Sequence, residues 1–410
     1  SESANTQGIG ARLKLTGGPV EQTQEIIVGG AYSSSSEPMR TFAAGDGSRN
    51  LKLEVLWRDG RRTVIDDVEA DRLYIVSDAD ALPFQPTPRP KVETVFEDQS
   101  HRLNHKHVEA PFDDFAAQPL LPNRLSQLGP GIAWFDVDRD GDDDLIIGSG
   151  RAGNIHVLVN DGEGGFEDFK SPQLHMETTG LLGFINHEGD TTLFAGMSDY
   201  ESGKTEHPSA MGFYFKQGKR WHLQDGIVDF SSSTGAISLG DIDGDGDLDL
   251  FVGGRVKPGN YPAPASSRIF LYDNGKWNLD PANQKALTDI GMVSASVFGD
   301  IDGDGDADLA LALEWGSIKI MRNDNGRLVD VTSVYGLSSF KGWWNGITLG
   351  DFDNDGRLDI VASNWGRNTK YENSYSVLKP LQIYYGDLDD NGVIDVIEAH
   401  FDKYMNALVP

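Results

Sequence analysis

Five nine-residue segments constrain this 410-residue chain more than anything else in it. They read DVDRDGDDD from Asp136, DIDGDGDLD from Asp241, DIDGDGDAD from Asp300, DFDNDGRLD from Asp351 and DLDDNGVID from Asp387. Positions 1, 3 and 9 are Asp in every copy, position 5 is Asp or once Asn391, and position 6 is always Gly. Carboxylates packed this closely repel one another, and burying them without a counter-ion is strongly unfavourable. The chain supplies little positive charge of its own: after Asp241, the first basic residue is Arg255. A hard divalent cation that takes six to eight oxygens answers the pattern, and the spacing is that of a calcium loop.

Position 7 varies freely, as expected where a backbone carbonyl rather than a side chain coordinates, and Gly at position 6 permits the sharp turn that brings positions 1, 3 and 5 around an ion. The expected ligand positions are Asp136, Asp138, Asp140, Asp142 and Asp144 in the first copy, then Asp241, Asp243, Asp245, Asp247 and Asp249 in the second. They continue with Asp300, Asp302, Asp304, Asp306 and Asp308, with Asp351, Asp353, Asp355, Arg357 and Asp359, and with Asp387, Asp389, Asn391, Val393 and Asp395. The cofactor expected is Ca2+, at about five sites.

What flanks the loops separates two calcium architectures. An EF-hand needs a bidentate Glu at position 12 and helices on both sides. Four copies instead carry Ile147, Val252, Leu311 and Ala362 there. Short apolar runs follow these loops and β-prone alternating segments precede them, so strand, loop, strand is predicted. The fifth copy has Glu398 at position 12 and a helix-compatible AHFDKYMNAL behind it, but the strand-like LKPLQIYYG in front keeps it with the others.

The repeat is longer than the loop. Asn-Gly and Asp-Gly turns in LVNDGEGGFED, LYDNGKWNLD and MRNDNGRLVDV mark a second hairpin in each unit. A lapsed copy starts at Phe184, where Phe184, Asn186, Glu188 and Thr192 replace Asp, so it keeps its strands and loses its metal. Loop starts at 136, 184, 241, 300, 351 and 387 give a period of about fifty residues, which with four strands per unit describes propeller blades.

These units resemble the FG-GAP or VCBS repeats of integrin α-like β-propellers. The first ninety residues differ: NTQGIGARLKL, GGAYSSSSEP, TFAAGD and LEVLWRDGRRTVIDDV are similar to the ASPIC and UnbV domain of cartilage acidic protein relatives and bacterial surface proteins. ARLKLTGG, EIIVGGAYSSS, LKLEVLWRDGRRTVI and RLYIV read as short strands, with a hairpin at Arg58 to Arg61. The expected fold is all-β: a sandwich-like N-terminal domain over 1–80, a Pro-rich linker over 81–95, and a calcium-binding propeller of six to seven blades over 96–410, incomplete in this chain. The inverted domain order and the start at Ser1 suggest a piece of a longer precursor.

Composition agrees. With no Cys there are no disulfides to staple the loops, and calcium would take that role. The formal charge of −29 is concentrated in the nonapeptides, which hold 24 of the 64 acidic residues. Five calcium ions would leave about −19, so nucleic-acid binding is excluded as a class. No apolar run approaches the ~20 residues of a membrane span. Extracellular calcium modules bind at about 10⁻⁴ to 10⁻³ M, which sets occupancy outside a cell and not in cytosol. The resemblance implies a secreted or cell-surface bacterial protein.

No P-loop, Rossmann or nucleophile-elbow motif occurs, and an enzyme is not expected. His101, His105, His107, Glu109, Asp113 and Asp114 form the nearest approach to a transition-metal set. The expected role is non-enzymatic: adhesion, protein–protein interaction or extracellular assembly, with a protein or glycan partner and self-association through unpaired strand edges. The alternative is a carbohydrate-binding or glycan-processing propeller using carboxylates and the rings of Trp343, Trp344 and Trp365, against which stands plain packing between blades. SSSS at 33–36 and the Pro-Thr linker are further candidates for O-linked sugar.

Overall fold

The computed structural model describes residues 5–27, 38–45, 50–85, 95–185, 189, 191–202, 210–216, 220–223, 232–366, 371–372, 376 and 378–410, with the backbone course alone for 202, 210–216 and 220–223. The serines at 33–36, the linker stretch 86–94 and two residues of the lapsed loop, Asn186 and Glu188, lie outside the described residues. The chain divides into two compact units, Ser1–Glu97 and Asp98–Pro410.

In the first unit, β1 Arg12–Thr16, β2 Gln22–Glu25, β3 Leu51–Leu56, β4 Arg61–Val68 and β5 Leu82–Pro83 form one antiparallel sheet in the order β2-β1-β3-β4-β5. Alternation builds it: Leu51, Leu53 and Val55 are buried while Lys52 and Glu54 between them are not. The hairpin expected at Arg58–Arg61 joins β3 to β4, and β5 adds two residues of the segment read as linker. The sandwich-like expectation is corrected, because the described residues form a single sheet. Phe42, Ala44 and Val76 pack on its core as irregular chain. Side chains of β2 replace a backbone ladder there: the Gln22 amide donates to the Ala43 carbonyl and the Gln24 amide to the Thr41 carbonyl, both at 2.6 Å. RLYIV is likewise not a strand. Leu73 and Ile75 are exposed, and the Tyr74 hydroxyl folds the segment back by accepting the Glu69 N–H at 2.7 Å.

The second unit contains six successive antiparallel repeats. Repeat one is β6 Ile132–Phe135, β7 Asp144–Ile147, β8 His156–Asn160 and β9 Phe166–Lys170. Repeat two is β10 Glu177–Ile185, β11 Thr191–Ser198, β12 Ala210–Lys216 and β13 Arg220–Leu223. Repeat three is β14 Ser233–Gly240, β15 Asp249–Val256, β16 Arg268–Asp273 and β17 Lys276–Leu279. Repeat four is β18 Met292–Gly299, β19 Asp308–Gly316, β20 Lys319–Asn323 and β21 Leu328–Asp330. Repeat five has two strands among the described residues, β22 Gly342–Gly350 and β23 Asp359–Asn364, and repeat six has β24 Gln382–Gly386, β25 Asp395–Asp402 and β26 Ala407–Val409. Each nonapeptide joins the first and second strands of its repeat, and the predicted turns join the third and fourth. The helix-compatible stretch after the fifth loop is the end of β25, a turn and the start of β26.

First strands of neighbouring repeats pack side by side, tied by Thr179 Oγ1 to the Gly235 carbonyl at 3.1 Å, Ser238 Oγ to Ser296 Oγ at 2.9 Å and Ser294 Oγ to the Trp344 carbonyl at 2.6 Å. The approach is close enough to demand glycine: a Cβ at Gly240 would lie 2.5 Å from the Phe298 ring. A bulge recurs in the first strands at Thr178/Leu181, Thr234/Ile237, Val293/Ala295 and Trp344/Gly346, where it bends each strand at a matching point.

The stretch from Phe112 to Leu125 binds repeats far apart in sequence. Leu121 and Leu125 pack with Tyr200, Val256, Tyr261, Met292 and Val396. The Gln118 amide donates to the carbonyls of Tyr261 at 2.6 Å and Ile394 at 3.1 Å, and its oxygen accepts the Tyr261 N–H at 3.2 Å. Tyr261 follows the end of β15 remote from its loop, whereas Ile394 belongs to the sixth repeat's loop. Gln118 thereby bridges the segment that follows β15 in repeat three and the loop of repeat six.

Candidate metal centres

Local backbone geometry repeats in all five loops. Position 6 is left-handed at Gly141, Gly246, Gly305, Gly356 and Gly392, and so is position 4 at Arg139, Gly244, Gly303, Asn354 and Asp390. These two turns let the position 1 carboxylate accept backbone N–H groups with both oxygens. In the third repeat Asp241 takes Gly244 at 2.8 Å and Gly246 at 3.1 Å, and in the fourth Asp300 takes Gly303 at 2.7 Å and Gly305 at 3.1 Å. Asp136, Asp351 and Asp387 are held in the same way. The position 5 side chain accepts the N–H of position 7 in every loop, at Asp140, Asp245, Asp304, Asp355 and Asn391. Position 7 is exposed at Asp142 and Arg357 and half-buried at Asp247, Asp306 and Val393, where Asp306 accepts the Asn325 N–H at 3.0 Å.

Position 9 has a role that spacing does not reveal. Its carboxylate accepts the N–H of position 2 in all five loops, for example Ile301 on Asp308 at 2.9 Å. In repeats one, three and four its other oxygen accepts an N–H from the third strand: Asn160 on Asp144, Tyr272 on Asp249 and Asn323 on Asp308, at 2.8 to 2.9 Å. The loop is thereby bolted to the sheet. Burial pushes Asp144 and Asp308 up from the ordinary carboxylate range, and Asp249 up to about 6. Asp243 is also raised, by burial first and by the charges of Asp245 and Asp241.

Oxygen atoms of Asp136, Asp138 and Asp144 lie within 4.8 Å of one another, as do those of Asp241, Asp243 and Asp249, of Asp300, Asp302 and Asp304, and of Asp351, Asp353 and Asp355. The donor set is all oxygen and crowded, and Asp144, Asp243, Asp249 and Asp308 within it are pushed towards the neutral form, a condition that a bound divalent cation relieves. The residues present therefore fit calcium, which positions 1, 3, 5 and 9 and the carbonyl of position 7 would hold. In the fifth loop Asn391 replaces a charged ligand, and its amide donates to Asp389 at 3.0 Å. In repeat two, Thr192 stands at position 9, buried, with no hydrogen-bond partner for its hydroxyl oxygen among the described residues.

The histidines do not assemble. His107 meets Glu109 at 3.2 Å, while His105 stacks edge-on against His156, whose Nδ1 lies 2.9 Å from Asp168. Asp113 caps the short helix Asp114–Ala117, and buried Asp114 accepts from the N–H groups of Leu125 and Ser126 and from the Ser126 hydroxyl. Among the described residues, no group containing His brings three ligand atoms together. A separate acidic set lies at the start of β10: Glu177, 2% exposed, is pushed up to about 7 by burial, with the charges of Glu109 and Glu201 adding.

The three tryptophans part company. Trp343 and Trp365 stack at 4.1 Å beside Trp315 and line a cavity of about 420 Å³. Trp344, one residue along β22, faces the other side, packs on the core of repeat four and donates its indole N–H to the Phe340 carbonyl at 3.1 Å. It is removed from the candidate ligand site. Trp315, which the sequence did not single out, joins it.

Residues 1–83 match the family described as ASPIC and UnbV, and residues 241–311 and 300–362 match the FG-GAP-like repeat. The chain carries an ASPIC and UnbV domain followed by FG-GAP-like repeats. The FG-GAP-like matches run from the loop of repeat three to the second strand of repeat five. No curated protein matches the chain. Similar solved structures include BBS1N in complex with ARL6DN, 12% identical over 78% of this chain and 86% of that one, with a TM-score of 0.30. A putative 6-phosphogluconolactonase from Bacteroides fragilis is 17% identical over 70% and 67%, with a TM-score of 0.32. The V. cholerae biofilm matrix protein Bap1 is 14% identical over 68% and 47%, with a TM-score of 0.29. No helix among the described residues is long and apolar enough to cross a membrane.

Proposed function

We propose that the chain is a non-enzymatic, extracellular interaction scaffold whose FG-GAP-like repeats are stiffened by about five calcium ions. One observation carries this reading: in all five loops the position 1 carboxylate is aimed by two backbone N–H groups, and in four the acidic oxygens converge within 4.8 Å. Calcium supplies positive charge that cancels the crowding and lets each turn keep one shape. Its low affinity in such modules suits the extracellular calcium level.

The partner is a protein, and repeats five and six are the surface offered to it. Phe352 and Leu388 at position 2 of their loops are 58% and 62% exposed, and Tyr404 and Met405 stand out beyond β25. Copies of the chain are one such partner, giving self-association for adhesion or assembly at a bacterial surface.

The test is elemental analysis of the purified chain with melting curves in calcium and in chelator, and size measurement over a range of concentrations. About five calcium ions per chain and a marked loss of melting temperature on chelation are expected. Melting that ignores chelator, or stoichiometric zinc or iron, would overturn the reading.

A further inference from the structure

Independently of calcium, repeats four and five build a second kind of site. The Trp365 N–H donates to the Trp343 carbonyl at 3.1 Å beyond the last paired residues of β22 and β23, so both indoles leave the hairpin on one face. Their rings lie 4.1 Å apart and 21° from parallel, and Trp365 remains 40% exposed. Trp315 extends this slab, 5.8 Å from Trp343.

The position of Trp315 is imposed rather than incidental. It has φ of +57°, a left-handed conformation that a bulky residue rarely adopts, at the bulge where β19 passes from its own repeat to pair with β22. Its indole N–H donates to the Tyr261 hydroxyl at 2.6 Å, that hydroxyl donates to Glu314 at 2.6 Å, and Glu314 pairs with Arg255. Tyr261 and Glu314 are buried, so the chain holds this indole from beneath. Strain of this sort is kept where a side chain must be aimed.

We propose that this cleft binds a neutral, hexose-based glycan. The cavity of about 420 Å³ falls in the usual range for small-ligand sites, about 300–1,000 Å³. Its floor is flat and aromatic, which matches the C–H face of a pyranose. Its rim mixes Lys341, Glu398 and Asn364, the last with its carboxamide oxygen fixed by the Gly366 N–H at 2.7 Å. Such a rim both donates and accepts, as sugar hydroxyls require. Organic cations are the other ligands that aromatic boxes take, and tetramethylammonium serves as their probe. An acidic glycan would meet Glu398 and a chain of net charge −29.

The experiment titrates the full chain in calcium with maltohexaose, cellohexaose, mannohexaose and chitohexaose, following tryptophan fluorescence and calorimetry, with tetramethylammonium and oligogalacturonate as contrasts. Saturable binding of at least one neutral oligosaccharide is expected. Trp365→Ala should weaken it by about tenfold or more, the loss of one stacking face, with melting temperature held. Trp344→Phe, on the opposite face, should leave affinity unchanged. The proposal is overturned if no neutral oligosaccharide binds, if only tetramethylammonium or oligogalacturonate binds, or if a folded Trp365→Ala binds as the parent does.

Discussion

Repeats three and four embed their loops in the protein, whereas repeats five and six carry theirs on the outside. Ile242 and Ile301 at position 2 are buried, and Asp249 and Asp308 at position 9 are each 1% exposed and held by N–H groups from the loop and the third strand. In repeats five and six the same positions are the exposed Phe352 and Leu388 and the half-buried Asp359 and Asp395. The motif is the same; the support beneath it is not. In repeats three and four an N–H of the third strand ties position 9, and with it the acidic loop, to the core. In repeats five and six the position 9 carboxylate accepts the position 2 N–H, and among the described residues no third-strand N–H joins it, so a metal bound there would carry more of the loop's shape.

The largest effect expected from this contrast follows metal removal. At a hundredfold excess over Kd one site contributes about 2.7 kcal/mol, so stripping several sites should lower the melting temperature by roughly 10–20 °C. Hydrogen exchange should locate the earliest loosening in the loops at 351–359 and 387–395, and equal loosening in those at 241–249 and 300–308 would break the comparison. Next comes position 9 itself. Asp308→Ala strands two backbone donors and should cost about 3 kcal/mol in urea unfolding, against about 1 kcal/mol for Asp359→Ala.

A pH series gives a third test, at the start of β10 in repeat two. Glu177 has its carboxyl raised by burial to about 7 from an ordinary 4.5. Below the unfolded value the acid is neutral in both states and its full contribution is present. As pH rises through the folded value that contribution is lost, amounting to about 3 kcal/mol. The stability difference between the parent and Glu177→Gln should therefore fall from pH 4.5 to 7 and level off above, as read by denaturant titration at fixed calcium. The smallest effect belongs to the exposed loops: Phe352→Ser should change stability by about 0.5 kcal/mol or less. The equivalent truncation Ile242→Ala should cost about 2–5 kcal/mol. If Phe352→Ser also leaves self-association untouched, repeats five and six are not the contact surface.

What could be read in the letters was what side-chain identity alone encodes. The Asp spacing, the Gly at position 6 and the strand-loop-strand context are local, and they placed five loops between first and second strands. Position 4 was legible in part, since Gly244, Gly303, Asn354 and Asp390 all tolerate a left-handed backbone, but Arg139 masks the rule. The second task of position 9 was hidden because its partner, a third-strand N–H such as that of Asn323, is identified only once the sheet is formed. Strand alternation would have separated Trp343 from Trp344 had the strand been placed first. In the N-terminal sheet, glutamine side chains do the work of a strand partner, which no hydrophobic pattern records.

The contacts of Gln118 carry a consequence for how the molecule comes into being. Its amide reaches 143 residues forward to Tyr261 and 276 residues forward to Ile394. Contacts spanning so much chain close late, because the loop between them must be ordered first. A ribosome would have to deliver nearly the whole second unit before that glutamine found its last acceptor, so the repeats, each built from neighbours, are finished by a clasp that fastens only once residue 394 has been made.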